Sequence, residues 1–408
     1  MKEKDFNLPE GFFKQFKSGA ELQGFLDSLF KRGVQEILQA EMDEHLGYTK
    51  HSSEGIGTGN SRNGKTSKTI KTKSGKLNIE VPRDRNSSFK PVLVPKRKRM
   101  IDQIEDMVIS FYAKGMSTRD IRDQMHEIYG LELSESTVSN ITERILVDVQ
   151  DWQNRPLDDT YLITWLDGIT FKVRSQGKII NKSVYIVIGL NTQGRKEVLG
   201  MWINNNETAD GWLQILNELK QRGVQDILIA CTDNLKGLSK AIKAVFPQTV
   251  TQLCIVHQIR NSFKYVSYKN RREFMKDLKA IYAAVNLEQA QSAMNNFQLK
   301  WENKYPHVVK SWLNNWDELT AFFDFPKEIR TIIYTTNIIE NLNRNIRKFT
   351  KNKVMFPDDD AVIKAVYLAI QNATAKWNQH IPGWPLIANQ FIIKFPDRCK
   401  INIITLRS

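Results

Sequence analysis

Apolar residues along this chain follow two spacings, and the switch between them divides it. Up to about residue 150 the spacing is mostly helical. Leu22, Phe25, Leu26, Leu29, Phe30, Val34, Ile37, Leu38, Met42 and Leu46 recur every three or four residues, one apolar face interrupted at Gly33 and suited to packing or self-association. This predicts a helical region over residues 1–48. Residues 49–100 break the pattern. Their start, from His51 to Lys65, is rich in Ser, Gly and Asn and reads as loop. Alternation then runs through Thr69–Lys73 and Lys76–Val81 on either side of Ser74-Gly75, which predicts a hairpin with one basic face.

Helical spacing returns over residues 101–150. Ser117, with Asp120 three residues on, predicts a capped helix burying Ile121, Met125 and Ile128 and ending at Tyr129-Gly130. Ser134 caps a second helix that turns Val138, Ile141 and Ile145 inward. The pair predicts a helix-turn-helix whose outer face offers Ser136, Thr137, Ser139, Asn140 and Arg144 to base edges and phosphates.

From about Asp159 the period changes to that of strands. Tyr161–Leu166, Ser183–Leu190 and Glu197–Ile203 read as three strands in a row. A helix near Ala209–Arg222, a strand at Asp226–Cys231, a helix at Gly237–Phe246 and a strand at Thr251–Val256 follow. The order βββαβαβ predicts an α/β sheet of ribonuclease H-like type over 159–257, with its first and fourth strands as parallel neighbours at the centre. An all-helical insertion is predicted over 258–327, rich in Trp301, Trp312, Trp316, Phe322 and Phe323. Packing between helices explains these tryptophans better than stacking on a base. Residues 328–408 then complete the core, with helices near Asn337–Lys351 and Asp360–Trp377.

Composition narrows the field. In 408 residues, 41% are hydrophobic and 25% charged, enough to bury a core and exclude wholesale disorder. No apolar run approaches a membrane span, and Met1–Asp5 does not begin a signal peptide. Cys231, Cys254 and Cys399 make no disulfide framework, so a reduced cytoplasm is expected. The net charge is +14, and between Thr49 and Met100 fourteen Lys or Arg stand against three Asp or Glu, a local +11. That segment ends in Lys96-Arg97-Lys98-Arg99. An excess so concentrated predicts contact with a nucleic-acid backbone rather than a solvated linker.

Asp167 follows the strand YLITWL and Asp233 follows ILIACT. Either alone reads as a solvated turn residue. Two acids beyond the carboxyl ends of neighbouring strands occupy the usual site position of an α/β sheet. Held close they would repel, a penalty that a hard divalent cation removes, Mg²⁺ with Mn²⁺ able to substitute. Glu340 lies on the helix near 337–351, whose stripe Ile338, Leu342, Ile346 and Phe349 reads as buried. Asn337, Glu340, Asn341, Arg344, Arg347 and Lys348 share the polar face. A surface pair Glu340–Arg344 is the bland reading. The functional one is a third metal ligand beside Arg344, Arg347 and Lys348 placed on a phosphodiester. Cys254-Ile255-Val256-His257 has no second pair to complete a zinc site. Cys254 is expected to be structural and His257 to contact phosphate at the active edge.

The stretch Asp233, Gly237-Leu238, Val245-Phe246-Pro247, Thr249, Gln252, Cys254 and Val256-His257 resembles the signature of the Mutator-type transposases of bacterial insertion sequences, in the insertion-sequence-256-like group. Glu44–Tyr48, Asn60–Gly64, Val81–Arg85, Tyr112–Arg119, Asn181-Lys182 and Tyr334–Asn337 extend the similarity across nearly the whole chain. The resemblance implies an Asp-Asp-Glu enzyme with Asp167, Asp233 and Glu340 as catalytic acids, two metal ions, and cleavage then strand transfer of double-stranded DNA. It also implies recognition of the element's terminal inverted repeats, a homodimer or larger assembly, and work on DNA at the bacterial nucleoid. Asn234 departs from the pattern, since relatives commonly have Gly there. A non-catalytic regulator would lack one of the acids; a junction resolvase of the same fold would cut without joining.

Overall fold

The computed structural model describes residues 11–52, 59–72, 75–94, 102–204, 209–235, 237–334, 337–351 and 353–401. The basic run Lys96–Arg99 and the pair Thr335-Thr336 lie outside them. The chain divides into two compact units, Met1–Glu143 and Arg144–Ser408.

In the first unit, α1 (Gly19–Leu46) starts at Ser18, whose hydroxyl accepts from Glu21 N at 3.2 Å, and stops at Gly47 with φ 78°. Gly33 does not interrupt it. Only Val34, Leu38 and Met42 are buried, while Leu26, Leu29, Phe30 and Ile37 are 43–51% exposed. Strands β1 (Arg62–Thr72) and β2 (Gly75–Asp84) form the expected hairpin. It reaches back to Arg62, paired with Asp84, where the sequence read as loop. Arg62–Thr69 contains no apolar residue, so pairing rather than alternation defines that half of the strand. Val34, Leu38, Ile70, Ile79 and Val94 form one cluster, so the helix and the hairpin share a core.

Beyond the hairpin lie α2 (Asp102–Ala113), α3 (Thr118–Tyr129) and α4 (Glu135–Asn154). The Ser117/Asp120 capping box and the Gly130 stop are both present, and Val138, Ile141 and Ile145 are buried. Ile128, expected inside, is 58% exposed, because the buried face of α3 ends at Met125. The boundary between the two units falls within α4.

The second unit is built on a five-stranded sheet: β3 (Thr160–Ser175), β4 (Lys178–Asn191), β5 (Lys196–Asn204), β6 (Asp226–Thr232) and β7 (Val250–Leu253), in spatial order β5-β4-β3-β6-β7. β3 lies at its centre, antiparallel to β4 and parallel to β6. Helices α5 (Ala209–Gln221) and α6 (Leu238–Val245) bury Trp212, Leu216 and Ile242 with Tyr161, Leu166 and Tyr185. The first two strands outrun the sequence reading. β3 continues to Ser175 and β4 begins at Lys178, joined through Gln176 (φ 49°) and Gly177 (φ 76°). Two left-handed residues give the tight turn that matches strand twist.

The helices that follow are α7 (Ile255–Phe263), α8 (Arg271–Tyr282), α9 (Leu287–Trp301), α10 (Pro306–Asn314), α11 (Trp316–Thr320) and α12 (Lys327–Ile333). No strand interrupts them. Trp301 and Trp312 are buried, their indole N–H groups donating to Asp277 Oδ2 at 2.9 Å and Ser262 Oγ at 3.0 Å. The chain continues through α13 (Asn337–Thr350), α14 (Asp359–Thr374) and α15 (Trp384–Lys394). The last was not expected, since α15 is apolar around most of its surface and shows little periodicity. Its Trp384 ring lies against Gly194, where a Cβ would come within 2.3 Å. Among the described residues no helix is long and apolar enough to cross a membrane.

Candidate active site

Asp167 does not end a strand. It lies within β3 opposite Ile186 of β4, at the point where the parallel ladder to β6 stops with the pair Leu166–Thr232. Losing that neighbour opens one side of β3 there. Asp233 directly follows β6 at the same level. Cys254 N donates to Thr232 O at 2.8 Å, the last bond of the β6–β7 edge. The chain then turns into α7, so Ile255 and Val256 open a helix rather than finish the predicted strand. His257 and Arg260 stand in its first two turns.

α13 packs beside Asp167. Its buried residues are Ile339, Leu342, Asn343, Ile346 and Thr350, so the inner stripe is turned from the expected one, and Ile338 and Phe349 are only half-buried. The rotation brings Asn343 inward, where Nδ2 donates to Asp167 Oδ2 at 2.7 Å. The other carboxylate oxygen, Oδ1, accepts from Gly168 N at 2.8 Å. Glu340, one turn earlier, meets α7 instead of Arg344. Arg260 donates to it from Nη1 at 2.6 Å and from Nη2 at 3.4 Å, and His257 Nε2 lies 3.5 Å from Oε1.

Electrostatics ties these groups together. Burial raises the Asp167 pKa and the charge of Glu340 raises it further, against the lowering effects of the Gly168 N–H, His257 and Arg347. His257 is pushed up to about 9, first by its hydrogen bond to Cys254, against burial, and then by the charges of Cys254, Asp167 and Asp233. At neutral pH it is an imidazolium among carboxylates. Cys254 is buried and takes part in no disulfide.

Three carboxylates are hard oxygen donors of the kind Mg²⁺ takes, and the raised Asp167 carries a charge cost that a divalent cation removes. As placed, cations of the chain itself hold Glu340. Among the described residues, no three His, Cys, Asp or Glu side chains form a group able to hold a metal ion. The donor chemistry fits; the ligand cluster is not assembled.

Residues 1–380 match the family described as "Transposase, Mutator family". The chain belongs to that family. The transposase for insertion sequence element ISRM3 of Rhizobium meliloti (strain 1021) is 43% identical over 376 residues, 92% of this chain and 93% of that protein. The transposase for insertion sequence element IS905 of Lactococcus lactis subsp. lactis (strain IL1403) is 36% identical over 361 residues, 88% and 92%. That for IS256 in transposon Tn4001 of Staphylococcus aureus is 29% identical over 322 residues, 78% and 82%. A solved Drosophila P element transposase strand transfer complex aligns with 68% of this chain and 81% of its own at 12% identity. Its TM-score is 0.29, too loose to define a shared fold.

In this Mutator-family chain, Arg344 and Lys348 are exposed on α13 beside Arg347. Asn140 and Arg144 are exposed on α4, but the hydroxyls of Ser136 and Thr137 each lie 2.8 Å from Ser134 Oγ and serve the helix cap. Asn234 is not in the left-handed region, so its position does not require glycine. Its Nδ2 donates to Gln258 Oε1 at 2.8 Å. Sequence reasoning missed Asn343 and Arg260. Asn343 falls on a polar spacing, and Arg260 is one turn from His257 only once residues 255–263 are read as helix.

Proposed function

We propose that this chain is an Asp-Asp-Glu transposase that cuts DNA at the ends of its insertion sequence and joins the freed 3′-hydroxyl to target DNA. The observation that carries this reading is the docking of α13 on β3. Asn343 bonds Asp167 across 176 residues of sequence, in a helix whose Glu340 raises the pKa of the same aspartate. Membership of the Mutator family supports the reaction class, and the strand order supports a ribonuclease H-like core.

Asp167, Asp233 and Glu340 are the residues that would hold Mg²⁺ or Mn²⁺. Bound there, such ions supply Lewis-acid polarisation of a phosphodiester and offset the charge that develops as it breaks. Arg260 and His257 exchange Glu340 for a non-bridging phosphate oxygen of the incoming DNA, which frees the carboxylate. Asn343 holds the Asp167 carboxylate in a fixed plane. Arg344, Arg347 and Lys348 contact the DNA backbone. The α3–α4 pair reads the terminal inverted repeats in the manner of a helix-turn-helix, through Asn140 and Arg144 with Ser136 and Thr137 at its mouth, and the basic run Lys96–Arg99 adds backbone affinity. The working form is a dimer or larger assembly that brings two element ends together in the bacterial cytoplasm.

The test is cleavage of a duplex carrying the element end, with Mg²⁺ present. Wild type should cut, and Asp167→Asn, Asp233→Asn and Glu340→Gln should each be at least about 100-fold slower. Equal cutting by any of the three removes that residue from the site.

A further inference from the structure

After α7 the chain runs Lys264-Tyr265-Val266-Ser267-Tyr268-Lys269-Asn270 into α8. Tyr265 is 65% exposed and Tyr268 is 87% exposed, while Val266 between them is buried. The segment is held firmly. Asn270 Nδ2 donates to the Tyr305 hydroxyl at 2.5 Å, and Ser267 Oγ lies 2.9 Å from the same oxygen. The Arg271 guanidinium donates to the carbonyls of Val266 and Phe263, each at 3.3 Å. Two phenol rings are thus kept in water by a fixed turn, where folding alone would bury them or leave them loose.

Charge surrounds the rings. From Arg260 to Lys279 there are seven Lys or Arg and two acids, a net +5. Both acids, Glu273 and Asp277, are engaged by Lys300 at 2.7 Å. Arg272, Lys276 and Lys279 are exposed and fall at i, i+4 and i+7, a cationic stripe along α8 about 10 Å long. Lys264 and Lys269 flank the tyrosines and are exposed too.

We propose that Tyr265 and Tyr268, with Lys264, Lys269, Arg272 and Lys276, bind unpaired DNA bases and their phosphates beside the bond that is cut. The placement beside the cut rests on the catalytic reading above, because His257 and Arg260 of α7 contact Glu340 and α7 leads directly into the turn. The affinity for unpaired DNA does not depend on it. Aromatic faces stack on any base, and the lysines and arginines neutralise phosphates without reading sequence. In a blunt duplex the base faces are hidden in the stack, so only a frayed or forked end can use the two rings.

Two fluorescent duplexes carrying the element end, one blunt and one with a short unpaired flank at the cut, separate the possibilities. The full-length wild type should bind the forked duplex more tightly. Tyr265→Ala/Tyr268→Ala should weaken forked binding by roughly fivefold or more and leave blunt binding unchanged. The double phenylalanine variant should bind as wild type. Lys269→Gln/Arg272→Gln/Lys276→Gln should weaken both and lower the salt slope by roughly two to three. Iodouracil in the unpaired flank should cross-link to the peptide holding Tyr265 and Tyr268. Unchanged forked affinity in the alanine variant, a cross-link elsewhere, or a change only in self-association would overturn the proposal. Loss of the catalytic reading shows separately, as cutting that survives Glu340→Gln while the cross-link remains.

Discussion

Asp167→Asn isolates what the carboxylate costs the fold. The wild-type carboxylate accepts from Gly168 N and from Asn343 Nδ2, and Asn343 Oδ1 is buried without a hydrogen-bond partner. If the Asn343 amide turns over, its free oxygen accepts from the new amide at position 167, so both hydrogen bonds survive while the charge disappears. Removing a desolvated charge that also faces Glu340, with its hydrogen bonds kept, is worth roughly 1–3 kcal/mol. At about 3 °C per kcal/mol for a unit of this size, thermal unfolding of the second unit should move up by several degrees. The sign depends on pH. The folded pKa of Asp167 is raised above 3.8, first by burial, so its ionisation favours unfolding. That cost is absent below the unfolded value, grows as pH rises towards the folded value, and is complete above it. The variant should therefore match wild type near pH 3.5 and exceed it at pH 7, in calorimetry without divalent cations. A variant less stable than wild type at pH 7, or an equal offset at both pH values, would refute the reasoning.

Other perturbations test neighbouring parts of the account. His257→Gln should remove an alkaline transition. A base whose pKa is raised from 6.5 to about 9 contributes stability that is complete below 6.5 and declines up to about 9, visible in melting curves between pH 6 and 10. Arg260→Gln should shift stability by less than about 1 kcal/mol, since its ion pair is half exposed, yet slow cutting of the end duplex by roughly 10- to 100-fold. Asp84→Ala should destabilise the first unit by roughly 3–5 kcal/mol, read by hydrogen exchange of the hairpin amides. The buried Asp84 accepts from Asn60, Ser88 and Phe89 at 2.7–3.0 Å. Although burial raises its pKa, those bonds hold it well below 3.8, so this contribution is present above that value and fades as pH falls below it.

The sheet was legible because its strands are continuous β-branched and apolar runs bounded by turns, as fully buried strands must be. Their length was not. The outer half of the β3–β4 hairpin alternates charged and apolar residues, Lys172 and Arg174 exposed against Phe171 and Val173 buried, and polar turn residues mark its far end. Glu340 was legible as a lone acid among cations, but the phase of its helix was not. A periodicity argument sends every asparagine to solvent, and here Asn343 is drawn inward by an aspartate on a distant strand. Arg260 was hidden for a similar reason. An apolar Cys-Ile-Val run looks like a strand end, whereas β7 stops with β6 and leaves Cys254 as the cap of a helix. The engagement of the Ser136 and Thr137 hydroxyls by Ser134 Oγ is likewise invisible in a sequence.

The most direct measurement of the central claim is Mn²⁺ binding followed by electron paramagnetic resonance, with a non-cleavable element-end duplex bound to full-length protein. Wild type should take about two ions per chain, and Asp167→Asn, Asp233→Asn and Glu340→Gln should each lose at least one of them or bind it far more weakly. Wild-type stoichiometry and affinity in all three variants would contradict the account.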